Sequence, residues 1–261
     1  LKVSVFALVE AINTKPKKTK SCKQLAKLCY EEIDTNKDQD IINEALQDIL
    51  GRYKTEFLKL WCNYYTLDGN IDLAFYIINN FVNSKNMADQ DYNYVKGIIF
   101  IEIASTLPSE AVFLENFPLI IAEALIVAKN CKDKNLSNLL VKTIVFLFRK
   151  KNITDKQILS VFNHFDNTHT KDWAIWSILG QGFAYNKYEF KFQIILQYEE
   201  YNDEVIIMEL QDLIEDINDD KKLNDNDKKE LLQKFKLYIY ERSFSDKLKE
   251  KIITLLQDLI N

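Results

Sequence analysis

Residues Leu58 to Ile78 read LKLWCNYYTLDGNIDLAFYII. Apolar side chains recur at three- and four-residue steps on both sides of Asp68-Gly69-Asn70: Leu58, Trp61, Cys62 and Tyr65 before it, Ile71, Ala74 and Ile78 after it. That spacing lines one face of a helix. Gly69 is free to take the positive φ that closes a helix. The stretch therefore predicts helices over about 54–67 and 70–83, joined by a turn too short for anything but an antiparallel hairpin.

The same spacing continues outward. Stripes run through Ile42, Ala45, Leu46 and Ile49, through Leu136, Leu140, Ile144 and Leu147, through Ile206, Leu210, Leu213 and Ile217, and through Leu248, Ile252, Leu255 and Leu259. Thr154 with Gln157 and Asp227 with Glu230 read as capping boxes, Ser109 and Ser245 as N-caps. The chain carries 5 glycines and 3 prolines, where an average chain of this length carries roughly 18 and 13. So few turn formers leave little besides helix. Helices are expected near 2–13, 21–33, 38–51, 54–67, 70–83, 89–106, 109–130, 134–150, 154–165, 171–185, 187–200, 203–217, 227–242 and 245–260, with Gly51 ending one of them. The fold class is all-α: an α-solenoid of twelve to fourteen helices in consecutive antiparallel hairpins. Hairpins recur at roughly 32–42 residues, a helical-repeat period.

The order Leu58, Trp61, Cys62, Tyr65, Gly69, Ala74, Ile78 resembles the tetratricopeptide repeat: a large apolar residue, a large–small pair, an aromatic, a turn glycine, then a small residue in the second helix. Cys62 and Ala74 are small where the resemblance brings two helices close. Trp61 departs from the usual leucine, and Asn86 stands near the place of the terminal proline. Gly97 and Phe100 echo a following copy; no third is found. The resemblance covers about 20 residues well and about 50 loosely, and HEAT-like families share the period.

Composition is globular: 47% hydrophobic and 28% charged, with net charge −5. A mild acidic balance makes nucleic acid an unlikely partner. Residues 1–30 hold +6 against −11 in the remainder, through lysines that include Lys15, Lys17, Lys18 and Lys20 around Pro16. These form an anion patch for phosphates or acidic headgroups. Cys22, Cys29, Cys62 and Cys131 form no CxxC pair and read as reduced thiols of an intracellular, cytoplasmic protein. The longest apolar stretch, Leu119–Ala128, is too short to span a bilayer. Leu1 is not an initiator methionine, so the chain reads as a fragment or processed product. Residues 218–226 read as a mobile acidic linker before a capping hairpin over 227–261, within one elongated domain over 1–261.

Chemistry-bearing constellations are sparse. His164 and His169, with Asp166 and Asp172, lie in a connector rather than on one helix face. Glu102 and Glu123 sit inside apolar runs, as acids at the polar edge of buried helices. Cys131 lies among Lys129, Lys132 and Lys134, which would lower a thiol pKa. No phosphate loop, nucleophile elbow, zinc motif or dinucleotide fingerprint occurs, so no catalytic residue, metal or cofactor is expected. Trp173, Trp176, Leu179 and Phe183 form an aromatic stripe beside Gly180 and Gly182, read first as core. The expectation is a non-enzymatic scaffold whose groove binds a protein or peptide. Its groove candidates are Asn63, Tyr64, Tyr76, Asn79, Asn80, Trp173 and Trp176. The alternatives are a sensor of a signalling peptide or small effector, and a nucleic-acid or anionic-membrane binder acting through the lysine patch. An enzyme centred on His164 stands last.

Overall fold

The structure is a computed structural model that describes residues 1–33, 37–87, 90–108, 115–182, 187–198, 203–241 and 244–257. Among them are fourteen α-helices, one 3-10 turn and no strand. Packing divides the chain into two compact units, Leu1–Asn152 and Ile153–Asn261, a division that the uniform helical spacing did not mark.

The first unit holds α1 (Lys2–Thr14), α2 (Lys18–Glu32), α3 (Gln39–Asp48), α4 (Gly51–Leu67), α5 (Ile71–Phe81), α6 (Tyr92–Thr106), α7 (Phe117–Lys129) and α8 (Lys134–Lys150). Gly69 has φ of 77°. Its amide donates to the Thr66 carbonyl, and the Asn70 amide donates to the Tyr65 carbonyl at 2.8 Å. These two bonds make a Schellman closure of α4. Asn70 then accepts from the Leu73 amide and caps α5. One residue thus ends the first helix and starts the second, which fixes the hairpin. Inside it Trp61 packs between the rings of Phe57 and Phe81, and the Cys62 thiol reaches the Ala74 carbonyl.

The even-numbered helices α2, α4, α6 and α8 each pack on the next, and their ends match. Near their starts, the Lys18 ammonium lies over the Tyr53 ring, Thr55 bonds Gln90, and Asp91 accepts from the Lys132 amide at 2.6 Å. Near their finishes, Tyr30 donates to Asp68, Thr106 donates to Asn63 at 3.2 Å, and Lys151 donates to the Leu107 carbonyl at 2.9 Å. Starts meet starts and ends meet ends, so these four helices run in one direction. The hydrogen bonds among these contacts join residues 35 to 44 apart in sequence. Where α6 meets α8 the Leu140 side chain lies against the α6 backbone: a Cβ on Gly97 would stand 2.5 Å from Leu140 Cδ1.

The second unit holds α9 (Asp155–Val161), a 3-10 turn (Phe162–His164), α10 (Thr168–Leu179), α11 (Tyr188–Ile195), α12 (Asp203–Asp219), α13 (Asp225–Glu241) and α14 (Asp246–Leu256). α11 packs on α9, α10, α12 and α13, and α14 packs on α12 and α13. Tyr188 reaches Asp220 and Lys191 reaches Asp216. The start of α11 therefore meets the end of α12, and the pair is antiparallel. Phe192 and Phe235 stack at 4.0 Å between α11 and α13.

Several expected boundaries move. Gly51 opens α4 instead of ending α3. The Thr154–Gln157 box and the Ser245 cap form as read. The second box lies three residues earlier than expected. Asn224 accepts from the Asp227 amide, and Asp227 accepts from the Asn224 amide. α13 accordingly begins at Asp225, α12 runs to Asp219, and only residues 220–224 remain of the acidic linker. Asp220 is itself anchored by Tyr188 and by the Lys222 amide. The connector expected around His169 is instead the first turn of α10, capped by Asn167. Ser109 lies outside the described residues.

Candidate functional site

Five of the expected groove residues sit on the α4–α5 hairpin, and their contacts separate them. Asn63 faces α6 through Thr106, while Tyr64 stacks on Tyr30 of α2 at 5.4 Å. Tyr76 accepts from Gln39 of α3, Asn79 accepts from Lys96 of α6, and Asn80 donates to the Tyr76 carbonyl of its own helix. Asn63 and Tyr64 therefore flank one face of α4, and the other three belong to the contacts of α5.

That α4 face is the candidate site. Between the Tyr30–Tyr64 stack and Asn63, it presents Leu60, half-buried, and Leu67, 56% exposed. On the α6 side, Lys59 pairs with Glu102 at 3.4 Å, and Ile98 is half-buried one turn before Glu102. The two polar contacts, Lys59–Glu102 and Asn63–Thr106, repeat one turn apart on both helices. They hold the helices in register and leave an apolar strip edged by aromatic rings and by one neutralised ion pair. Such a strip can take apolar side chains of an extended or helical peptide, with the asparagine and the ion pair as polar edges.

Asn86, fully buried, ties three helices together. Its amide donates to Asn43 on α3 and to the Phe81 carbonyl at the end of α5, while its backbone carbonyl accepts from Lys54 on α4. Among the described residues the Asn86 Oδ1 atom has no hydrogen-bond partner.

The remaining candidates are placed apart from this face. Trp173 is half-buried and Trp176 is 58% exposed on α10, while Ala174, Ile175 and Ile178 fill the core. The core expectation fails for Trp176 because the buried stripe of α10 is rotated to its neighbours. Gly180 continues the α10 backbone. Gly182 has φ of 62°, and the space where a side chain would begin is open, so it serves a turn and not a close approach. Phe183 lies outside the described residues. Lys15, Lys17 and Lys20 are exposed at the α1–α2 junction, and Lys18 is taken up by Tyr53.

His164, Asp166 and His169 are exposed, whereas Asp172, one turn after His169 on α10, is buried. Among the described residues no group of three or more His, Cys, Asp or Glu is placed to hold a metal ion. Glu102 faces Lys59. Lys96, whose pKa is lowered by burial, faces Glu123. Cys131 moves opposite to expectation. Burial pushes its thiol up to about 12, with Asp91 and Asp133 adding to the shift. Burial decides the direction, and the two aspartates that the α6 and α8 caps bring in add to it. Burial likewise pushes the Cys22 thiol up to about 11.

A second concavity, of about 520 Å³, lies in the other unit among the starts of α9, α11 and α13. Most of its charges are paired with one another, Lys187 with Asp155 and Lys234 with Glu189 and Glu230, while Asp227 accepts from the Asn224 amide. The Tyr238 hydroxyl donates to Glu189 and is the main cause of that carboxyl lying below its usual range, with Lys234 assisting. Sequence reading missed this network because its members come from helices far apart in the chain.

Comparison of the chain with protein-family models, with curated proteins and with solved structures returns no match. Among the described residues no helix is long and apolar enough to cross a membrane.

Proposed function

We propose that the chain is a non-enzymatic helical-repeat scaffold, and that the first unit holds a peptide segment of a protein partner on the exposed face of α4 and its neighbours. The observation that carries this reading is the common direction of α2, α4, α6 and α8, bonded end to end at separations of 35 to 44 residues. Helices stacked in this way present equivalent faces side by side, which is how repeat stacks build extended binding surfaces. The face on α4 combines exposed leucine, stacked tyrosines and an asparagine. Tyrosine is frequent among residues that dominate binding energy.

A photo-reactive residue at position 67 tests the assignment in extracts of the native source, with the same residue at exposed position 237 of α13 as control. Position 67 should capture a defined partner that Asn63→Ala with Tyr64→Ala abolishes. Equal capture at the two positions, or capture indifferent to the double substitution, would refute the placement.

A further inference from the structure

Two helices of this chain have opposite and undiluted charge. α8, KNLSNLLVKTIVFLFRK, carries Lys134, Lys142, Arg149 and Lys150 and no acid. α12, DEVIIMELQDLIEDIND, carries seven carboxylates and no base. In a chain of net charge −5, a four-cation helix without one acid is a local inversion of sign.

Each helix also leaves apolar surface in the middle of its charged face. On α8, Leu139 is 47% and Phe146 64% exposed. They lie two turns apart, and exposed Lys142 and Lys150 stand one turn to either side of Phe146. The opposite side of α8, with Leu140, Ile144 and Phe148, packs into the unit. The carboxylates of α6 and α7 lie elsewhere, Glu102 against Lys59 and Glu123 against Lys96. On α12, Met208 is 51% exposed, with exposed Glu204 and Asp212 one turn to either side and Glu215 two turns on. Near Met208 the helices α12 and α14 leave a groove of about 670 Å³, floored by Ile207 and Leu255 and rimmed by Glu204 and Glu250 with Lys247 and Lys251. The carboxylates of α12 also crowd one another: Glu209 is pushed above its usual range by burial and then by Asp212.

We propose that the chain self-associates, the cationic stripe of α8 in one copy docking Phe146 and Leu139 on the acidic α12 face and the α12–α14 groove of a second copy. The knob, the groove and both signs of charge are all present in one sequence, which is why a second copy is the occupant named. The contact joins two different surfaces and is therefore heterologous. The aromatic anchor supplies affinity, while the flanking charges supply attraction that salt weakens.

Sedimentation equilibrium of the full chain, from micromolar to near-millimolar concentration and at low and high salt, tests it. The average mass should rise above 30.7 kDa with concentration and fall back with salt. Phe146→Asp, the α8 reversal Lys142→Glu with Lys150→Glu, and the α12 reversal Asp212→Lys with Glu215→Lys should each weaken association at least ~tenfold. Circular dichroism melts establish that each variant is folded. An equimolar mixture of the two reversed chains should associate again, because each then offers the other an opposite sign. A wild-type chain that stays monomeric at low salt overturns the proposal. So does association that ignores all three variants, or folded reversed chains that fail to recombine.

Discussion

Gly97→Ala sets two effects of known sign against each other. In the middle of α6, alanine gains about 1 kcal/mol over glycine from backbone entropy alone. Against this, the new methyl would stand 2.5 Å from Leu140 Cδ1, 2.9 Å from Cδ2 and 3.3 Å from Cγ. Optimal carbon–carbon separation is about 3.5–4.0 Å. Both branches and the branch carbon are involved, so no swing of one methyl clears the space, and Leu140 is fully buried in the face of α8. The helices must part, and overpacking of this kind costs about 1–3 kcal/mol. The net expectation is a loss of about 1 kcal/mol, or about 2–4 °C in Tm for a chain of this size. Urea unfolding followed by Trp61 emission, with Trp173 and Trp176 replaced by phenylalanine, reads the first unit. Leu140→Ala alone should cost about 2–5 kcal/mol through its cavity. Combined with Gly97→Ala it should cost less than the sum by about 2 kcal/mol, since the added methyl enters the vacated space. A Gly97→Ala chain stabilised by about 1 kcal/mol, or strict additivity in the pair, would refute the close approach.

Asn86→Ala should destabilise the first unit by about 2 kcal/mol, because the buried Phe81 carbonyl and Asn43 lose their donor; denaturant midpoints check this, and an unchanged midpoint contradicts the role given to Asn86. Glu189 has a depressed pKa, so its interactions with Tyr238 and Lys234 stabilise the fold above about pH 4.5 and are lost as pH falls through the lower folded value. Glu189→Gln should therefore lower Tm at pH 7, by an amount that shrinks as pH falls below about 4.5; a gap that stays constant as the pH is lowered would exclude this linkage. Native Cys131, with its thiol pushed up to about 12, should resist alkylation at pH 8 while the urea-unfolded chain reacts fully, as mass spectrometry would resolve; rapid labelling of the folded chain would contradict the burial.

Much of the helix inventory was legible because helix spacing, N-caps and scarce glycine are local properties. Gly69 was readable since a Schellman closure needs a residue at positive φ, and Thr154 with Gln157 since a capping box needs only four consecutive residues. What failed were the inferences that depend on partners brought from elsewhere. Cys131 has lysines beside it in sequence, yet the fold buries its thiol and brings Asp91 in from a different helix cap, and both raise its pKa. Trp176 falls on an aromatic stripe, but the neighbours of α10 bury Ala174, Ile175 and Ile178 instead. Asn63 and Tyr64 share a hairpin with Tyr76, Asn79 and Asn80, but the hairpin turns the two sets toward different helices. The charge inversion of α8 needed no structure to notice. Its exposed phenylalanine did, since Phe146 and buried Phe148 are indistinguishable by composition.

The register contacts share a spacing and little else. Tyr30–Asp68, Gln39–Tyr76, Asn63–Thr106 and Lys151–Leu107 differ in every chemical respect. They agree in separation, 37 to 44 residues, which is about one helix pair. A stack needs each helix to be held at the right offset from the next-but-one, and any donor–acceptor pair at that offset suffices. Side-chain identity is constrained where space is short, as at Cys62 against Ala74 and at Gly97 against Leu140, and where the backbone takes a positive φ, as at Gly69. On the scaffold reading proposed above, the repeat is consequently carried by spacing, and the exposed faces between the register contacts are left to vary with whatever they bind.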